Sequence, residues 1–353
     1  MSFILKLLNM KITKMLLCLL LIAFMASLYY YPNWYIKQYN KAVGCYYVYQ
    51  GDKAFREMKY QHAVLHYRKA LEYYPEHSKA RWNLGNIYVS FENYHEAVAE
   101  YEKALKYNPN FMVCRMDLGI ILAEELADYD KAIQEYGRVV NSNPYVISIP
   151  TIFNNKDSVN TNRGIAYYNM GLAYKGKAIY MGENTRMATK YLKKAKEAYE
   201  EAEKYIKSDY DNTYNLALTN HLLGDYISAA KNYCRANNIK PLNFESHYNF
   251  ALLLRTLGMN KESLIEFEKT SLVMDYFRDI NRSKYVYGVI TETIRNIMNE
   301  VGGYDFLKER EDISALKQSE IVYKNGKISA ENQKDENMHD FLKCTFNDKF
   351  EEM

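Results

Sequence analysis

The residues whose types and spacing could do chemistry are few. His62 and His66, in the stretch HAVLH, lie four apart and would share one face of a helix, as the two metal-holding histidines of a zinc metalloprotease do. That chemistry also needs a glutamate directly after the first histidine as general base, and the residue there is Ala63. The two imidazoles are therefore read as solvated side chains on a helix. Cys18, Cys45, Cys114, Cys234 and Cys344 are far apart and include no CxxC pair, so neither a zinc site nor a disulfide framework is implied, and free or buried thiols are expected. No GxxxxGK[ST] phosphate loop, GxSxG elbow or GxGxxG fingerprint occurs. Asn281, Arg282 and Ser283 form the only glycosylation sequon. No nucleophile, base or metal set stands at a useful spacing, so no enzyme, cofactor or small-molecule substrate is expected.

The elements that must position any site are helices. Only 15 glycines and 6 prolines punctuate 353 residues, too few for a sheet-rich fold with many tight turns. The formal net charge of +3 leaves no strong electrostatic footprint for nucleic acid, and no nucleic-acid partner is expected. The 36 tyrosines demand a fold that uses them.

Lys14 and Lys37 bracket an uncharged stretch, MLLCLLLIAFMASLYYYPNWYI. The part before Pro32 would span roughly 26 Å as a helix, near the minimum for a hydrocarbon core. Tyr29, Tyr30, Tyr31, Trp34 and Tyr35 then form an aromatic cluster at the expected exit from a bilayer. A short basic segment, 1–14, followed by a transmembrane signal anchor at 15–36 is the reading adopted. A cleaved signal peptide is the competitor, since Lys6, Lys11 and Lys14 supply a basic start; Phe24, three residues before a cut after Ala26, argues against it. The lysines favour a cytoplasmic N-terminus, which makes this a single-pass protein with its bulk outside the cytoplasm.

Beyond the anchor the chain repeats itself every 34 residues. The block from Gly44 carries Gly51, Ala63, Tyr67, Ala70 and Pro75, and the block from Ser78 carries Gly85, Ala97, Tyr101, Ala104 and Pro109. A third, from Met112, has Gly119 in register but Ala132, Tyr136, Val139 and Pro144 one residue late, which places an insertion in its turn near ELADYD. The fourth, from Gly164, has its second helix 12 residues late, with the first helix extended or broken at Gly182. Blocks from Tyr210 and Phe244 complete six units, at 44–77, 78–111, 112–145, 164–209, 210–243 and 244–277. VISIPTIFNNKDSVNTN, between units three and four, reads as a loop or strap. An amphipathic capping helix is expected in 276–303, and a polar, disordered tail over 304–353.

This pattern resembles the tetratricopeptide repeat (TPR), in which small residues at positions 8, 20 and 27 let two antiparallel helices approach. The resemblance implies an all-α, right-handed solenoid of six helix-turn-helix repeats over 44–275. It also implies that positions 2, 5, 6, 9, 12 and 13 of each first helix line a concave groove. Position 6 reads Tyr49, Asn83, Asp117, Asn169, Asn215 and Asn249; position 5 includes Trp82, Tyr168, Tyr214 and Tyr248; position 9 includes Asn86, Leu218 and Leu252. The column of asparagines is similar to the ladder in the TPR arm of O-GlcNAc transferase, where carboxamides hold an extended peptide backbone. The carboxylate clamp of chaperone adaptors is not matched beyond Asn83, because Val48, Asp52, Val113 and Asp117 stand at its other positions.

Trp82, Asn83, Asn86, Tyr168, Asn169, Tyr214, Asn215, Leu218, Tyr248, Asn249 and Leu252 are thus the candidate peptide-binding groove. The expected function is a membrane-anchored scaffold for a protein or peptide partner, in cell-envelope assembly, secretion or surface-structure biogenesis. An obligate structural subunit is the alternative.

Overall fold

The computed structural model describes residues 2–142, 156–182, 185–276, 284–300 and 342–344. Among these residues there are fourteen helices and no strand. They form two compact units, Met1–Ile121 and Leu122–Met353. The first holds α1 (Ser2–Tyr30), α2 (Pro32–Arg56), α3 (Tyr60–Tyr73), α4 (Ser78–Ser90), α5 (Tyr94–Tyr107) and most of α6 (Met112–Glu124). The second holds α7 (Tyr129–Val140), α8 (Lys156–Tyr180), α9 (Arg186–Glu203), α10 (Tyr210–Leu222), α11 (Tyr226–Ile239), α12 (Phe244–Thr256), α13 (Asn260–Tyr276) and α14 (Lys284–Glu300).

Pro32 separates α1 from α2. It has no N–H to give to a continuing helix, it disfavours helical backbone at the residue before it, and its fixed φ suits the first turn of the next helix. Tyr31 accordingly leaves the helix at φ −129° and ψ 48°. Residues 15–30 of the expected anchor are in α1, and 32–36 begin α2. One window, Thr13–Tyr30, is long and apolar enough to cross a membrane. Its side chains pack on little else: Leu20 is 68% exposed and Ile22 65%.

Within each repeat a left-handed residue closes the turn between the two helices. Gly224 (φ 76°) and Gly258 (φ 75°) do so without steric cost, while Met58 (φ 58°) and Glu92 (φ 60°) occupy the same position in the first two repeats. In the third repeat the left-handed residue is Ala127, one place later, where the extra residue was expected. The fourth hairpin is the long one. α8 runs to Tyr180, Gly182 turns at φ 85°, and the hydroxyl of Thr185 caps α9 by accepting from the Ala188 N–H at 2.9 Å. The expected loop before this repeat is corrected in part: 156–162 are helical, the start of α8, and 146–155 lie outside the described residues.

In the first, second and fourth repeats the two helices touch through a glycine on the first and a tyrosine on the second. A Cβ built on Gly51, Gly85 or Gly171 would stand 2.6, 2.5 and 2.5 Å from ring carbons of Tyr67, Tyr101 and Tyr199. Those rings are 0%, 2% and 0% exposed, so the tyrosines are the core. Their hydroxyls need partners, and in the first two repeats position 9 supplies one. Tyr67 donates to Asp52 Oδ1 at 2.7 Å and Tyr101 to Asn86 Oδ1 at 2.6 Å. In the fourth and fifth repeats position 9 is Leu172 and Leu218, and the buried hydroxyls of Tyr199 and Tyr233 have no partner among the described residues. The sixth repeat has Leu252 there and replaces the tyrosine by Phe267, which has no hydroxyl to satisfy.

Successive repeats are tied by a second device. Arg81 and Arg115 wrap their guanidinium groups around the carbonyls of Pro75 and Pro109, with both Nε distances 3.0 Å. His247 does the same for Pro241 through Nε2 at 2.8 Å. At the far end Ile294, Ile297 and Met298 of α14 bury themselves against Ala251, Leu264 and Phe267, within the span expected to cap the fold.

The cysteine expectation is corrected. Cys18, Cys45 and Cys114 form no disulfide, but Cys234 and Cys344 are bridged across 110 residues of sequence. Neither cysteine lies in a spacing motif, so only the folded path of the chain brings the two together. Most of the expected tail, 304–353, lies outside the described residues, as do residues 281–283 with the sequon.

Two measurements of thermal unfolding check this packing. Gly85→Leu, forced into the Tyr101 ring, should destabilise by about 1–3 kcal/mol. Tyr233→Phe should stabilise by about 1 kcal/mol because it removes an unpaired buried hydroxyl, whereas Tyr101→Phe should cost about 0.5–1.5 kcal/mol. The same sign for both tyrosine changes would show that position 9 does not govern these hydroxyls.

Candidate functional site

Each candidate residue lies on the first helix of a repeat, and the asparagine column is not a row of free amides. In the first unit Asn83 Nδ2 donates to Asp52 Oδ1 at 2.8 Å and to the Tyr67 hydroxyl at 3.1 Å, which ties the second repeat to the first. Asn86 Oδ1 is taken by Tyr101. Trp82 stands edge-on to Phe111, with centroids 5.5 Å apart, and its indole N–H donates to Asp117 Oδ2 at 2.6 Å. Burial pushes the Asp117 carboxyl up from its ordinary range, and the indole bond opposes that rise. Lys79 pairs with the other oxygen of Asp52 at 2.9 Å, so this end carries matched charge.

In the second unit the same rule recurs. Asn215 Nδ2 donates to the Tyr168 hydroxyl at 3.3 Å and to the Asp211 carbonyl at 2.8 Å. Asn249 Nδ2 donates to the Tyr214 hydroxyl at 2.7 Å. A polar aromatic group at position 5 of one repeat therefore meets position 6 of the next three times: Trp82 with Asp117, Tyr168 with Asn215, and Tyr214 with Asn249. Position 6, expected to line the groove, therefore also takes part in the contacts between repeats. Spacing alone gives both residues to one groove-facing stripe, whereas stacked repeats bring position 5 of one helix against position 6 of its successor. Asn215 is buried at 9% exposure.

The flanking residues are half-buried. Tyr168 packs on the Ala195, Tyr199 and Leu216 cluster, Tyr214 beside Tyr233, and Tyr248 with Leu252 on the cluster completed by α14. Leu218 is likewise half-buried. Burial raises the Tyr168 hydroxyl to about 12, so it is a neutral donor and acceptor at physiological pH.

Asn169 and Lys175 stand apart from these joints. Asn169, half-buried on α8, makes no side-chain hydrogen bond among the described residues. Lys175, one row along from Tyr168 and Leu172 on the same helix face, gives its ammonium to Asn215 Oδ1 and meets no carboxylate among those residues. Burial without a counter-charge pushes Lys175 down to about 8. Sequence reasoning placed position 12 on the groove stripe but did not single out this lysine; the column also holds Arg255, which pairs with Glu300 at 2.6 Å, so the sequence does not tell the two cations apart. The histidine pair behaves as ordinary surface. His62 is exposed, His66 stacks on Tyr47 with centroids 6.3 Å apart, and Ala63 between them is fully buried.

Comparison with known proteins identifies the fold. Residues 78–111 match the family model of the tetratricopeptide repeat. No curated protein matches the sequence. Among solved structures, pilF of Pseudomonas aeruginosa is similar at 16% identity and a TM-score of 0.50, over 72% of this chain and 99% of that one. PilW, a type IV pilus biogenesis factor, aligns at 16% identity and a TM-score of 0.48, over 70% and 98%. MamA from Desulfovibrio magneticus RS-1 aligns at 18% and 0.44, over 56% and 95%. At these identities the likeness concerns the fold. Residues 78–111 are a tetratricopeptide repeat, and the chain has the fold built from such repeats.

Proposed function

We propose that this chain is a membrane-tethered, non-enzymatic scaffold that holds an extended, acidic segment of a partner protein on α8, α10 and α12. The observation that carries the proposal is Lys175. An ammonium held partly out of water beside neutral amides costs free energy that an incoming carboxylate would offset. The whole amide of Asn169 and the carbonyl oxygen of Asn249 offer donor and acceptor groups for a peptide backbone. Tyr168, Tyr214, Tyr248, Leu218 and Leu252 supply half-buried contact area beside them. In the first unit Trp82, Asn83 and Asn86 are spent on contacts between and within repeats, so the second unit is the better receptor.

α1 is the tether, ending at Tyr30 with its aromatic belt following. The repeats would lie outside the cytoplasm: the lysines before the apolar run favour a cytoplasmic N-terminus, and a disulfide between Cys234 and Cys344 suits an oxidising compartment. Such an arrangement fits assembly work in a cell envelope.

Panning a random peptide library on the detergent-purified chain should enrich sequences bearing Asp, Glu or a free C-terminal carboxylate. Lys175→Gln should weaken the best binder at least about tenfold, since a hydrogen bond to a charged group contributes roughly 1.5–3 kcal/mol. The sign of the pH effect follows from the lowered ammonium: affinity should hold below pH 7 and fall as pH rises through about 8, and Lys175→Gln should abolish that step. Asn169→Ala should weaken binding without lowering the melting temperature, while Asn215→Ala should lower both. Enrichment of uncharged peptides, or full affinity in Lys175→Gln, would refute the site.

Protease added to spheroplasts should digest the repeats while α1 stays with the membrane. Protected repeats, or repeats released in soluble form, would reverse the topology.

A further inference from the structure

A fully buried polar cluster in the last two repeats takes no part in the groove. Glu266, 0% exposed, accepts from Lys269 Nζ at 2.7 Å and lies 2.6 Å from His247 Nδ1, with Asn237 Nδ2 at 3.3 Å. Burial alone would raise the Glu266 carboxyl; Lys269 and His247 overcome it and hold the group low. A buried ion pair of this kind is seldom the most stable filling for a core. Here its ammonium has a second contact, and that contact leads to the C-terminal region.

Lys269 Nζ donates to the backbone carbonyl of Lys343 at 2.9 Å. Asn238 Oδ1 accepts the backbone N–H of Cys344 at 2.8 Å. Leu342 is 0% exposed, and Cys344 joins Ala230, Tyr233, Leu253 and Leu254 in one apolar cluster while bonded to Cys234. One carbonyl, one N–H and one sulfur of a three-residue segment are thus matched by Lys269 of α13 and by Asn238 and Cys234 of α11, and its Leu342 side chain is buried.

We infer that α11 and α13 form a peptide-docking site, separate from the groove, whose occupant is this chain's own Leu342–Cys344, latched by the Cys234–Cys344 disulfide. Recognition runs through the backbone and one apolar side chain, and the thiol pair makes it redox-dependent. Closing the latch joins the two sulfurs and passes two electrons and two protons to a disulfide oxidant such as oxidised glutathione. Two equivalents of a thiol reductant, or one of dithiothreitol, reverse it. Because the bridge spans 110 residues, closing it also restrains the unfolded chain around the last repeats.

The test uses the full chain in detergent, produced in an oxidising compartment and denatured with an alkylating agent but no reductant. Peptide mapping should show Cys18, Cys45 and Cys114 alkylated and Cys234 linked to Cys344 within one chain. Asn238→Ala, a change at an exposed residue, should leave the fold intact yet speed reduction by dithiothreitol about threefold to tenfold, because the Cys344 N–H loses its acceptor. Asn238→Asp, which keeps an acceptor, should restore the slow rate. Reduction of the wild-type chain should lower its melting temperature by roughly 5–15 °C. Five alkylated cysteines, a bridge to another cysteine or between chains, or a reduction rate and melting temperature indifferent to these changes would each overturn the latch. The mapping decides the matter even if Cys344→Ser fails to fold.

Discussion

The approach of a ring on the second helix of a hairpin to a small residue on the first, a glycine in the first, second and fourth repeats, is the constraint on which the rest of this fold depends. Where Gly51, Gly85 and Gly171 leave room for Tyr67, Tyr101 and Tyr199, the two helices can close to a distance no other residue would permit. The ring that fills the gap carries a hydroxyl into the core, and that hydroxyl must be paired or tolerated. Position 9 of the first helix is therefore not free to vary independently of the core. Asp52 and Asn86 pair it in the first two repeats, the fourth and fifth leave it without a partner among the described residues, and the sixth removes it with Phe267.

The same economy governs the residues that look most like a binding surface. A carboxamide offers a donor and an acceptor, and in stacked repeats the donor side is drawn to the ring hydroxyl of the repeat before it. Asn249 binds Tyr214, and Asn215 binds Tyr168, so these two asparagines do structural duty at their joints. What remains for a ligand is what the joints leave over. In the position-6 column Asn169 is the asparagine whose amide makes no hydrogen bond among the described residues. Lys175 is left over in a stronger sense, because its charge has an amide for company and no carboxylate among the described residues.

Charge is handled differently near the C-terminus. Glu266 and Lys269 are buried more deeply than any group of the candidate groove, yet every charge there has a counter-charge and the excess donor reaches a backbone carbonyl. Lys175 has a neutral amide for a partner, whereas Lys269 has a carboxylate and a backbone carbonyl from within the chain.

The sequence by itself determined the repeat, its register and the residues facing the core, because small residues at fixed offsets and tyrosines between them encode close helix packing directly. The insertion near Ala127, the break at Gly182 and the apolar run before Pro32 were also legible, since each is a local departure from a period or a charge-free span. Tertiary structure alone decided which polar atoms are spent. The pairing of position 5 with position 6 joins residues 35 or 47 apart, and the bridge from Cys234 to Cys344 spans 110. Neither follows from a helical period, because a period reports which residues share a face and not which neighbouring face they meet. The candidate groove was legible as a stripe, but the buried Asn215, the uncommitted Asn169 and the unpaired charge of Lys175 became distinguishable only when the repeats were stacked.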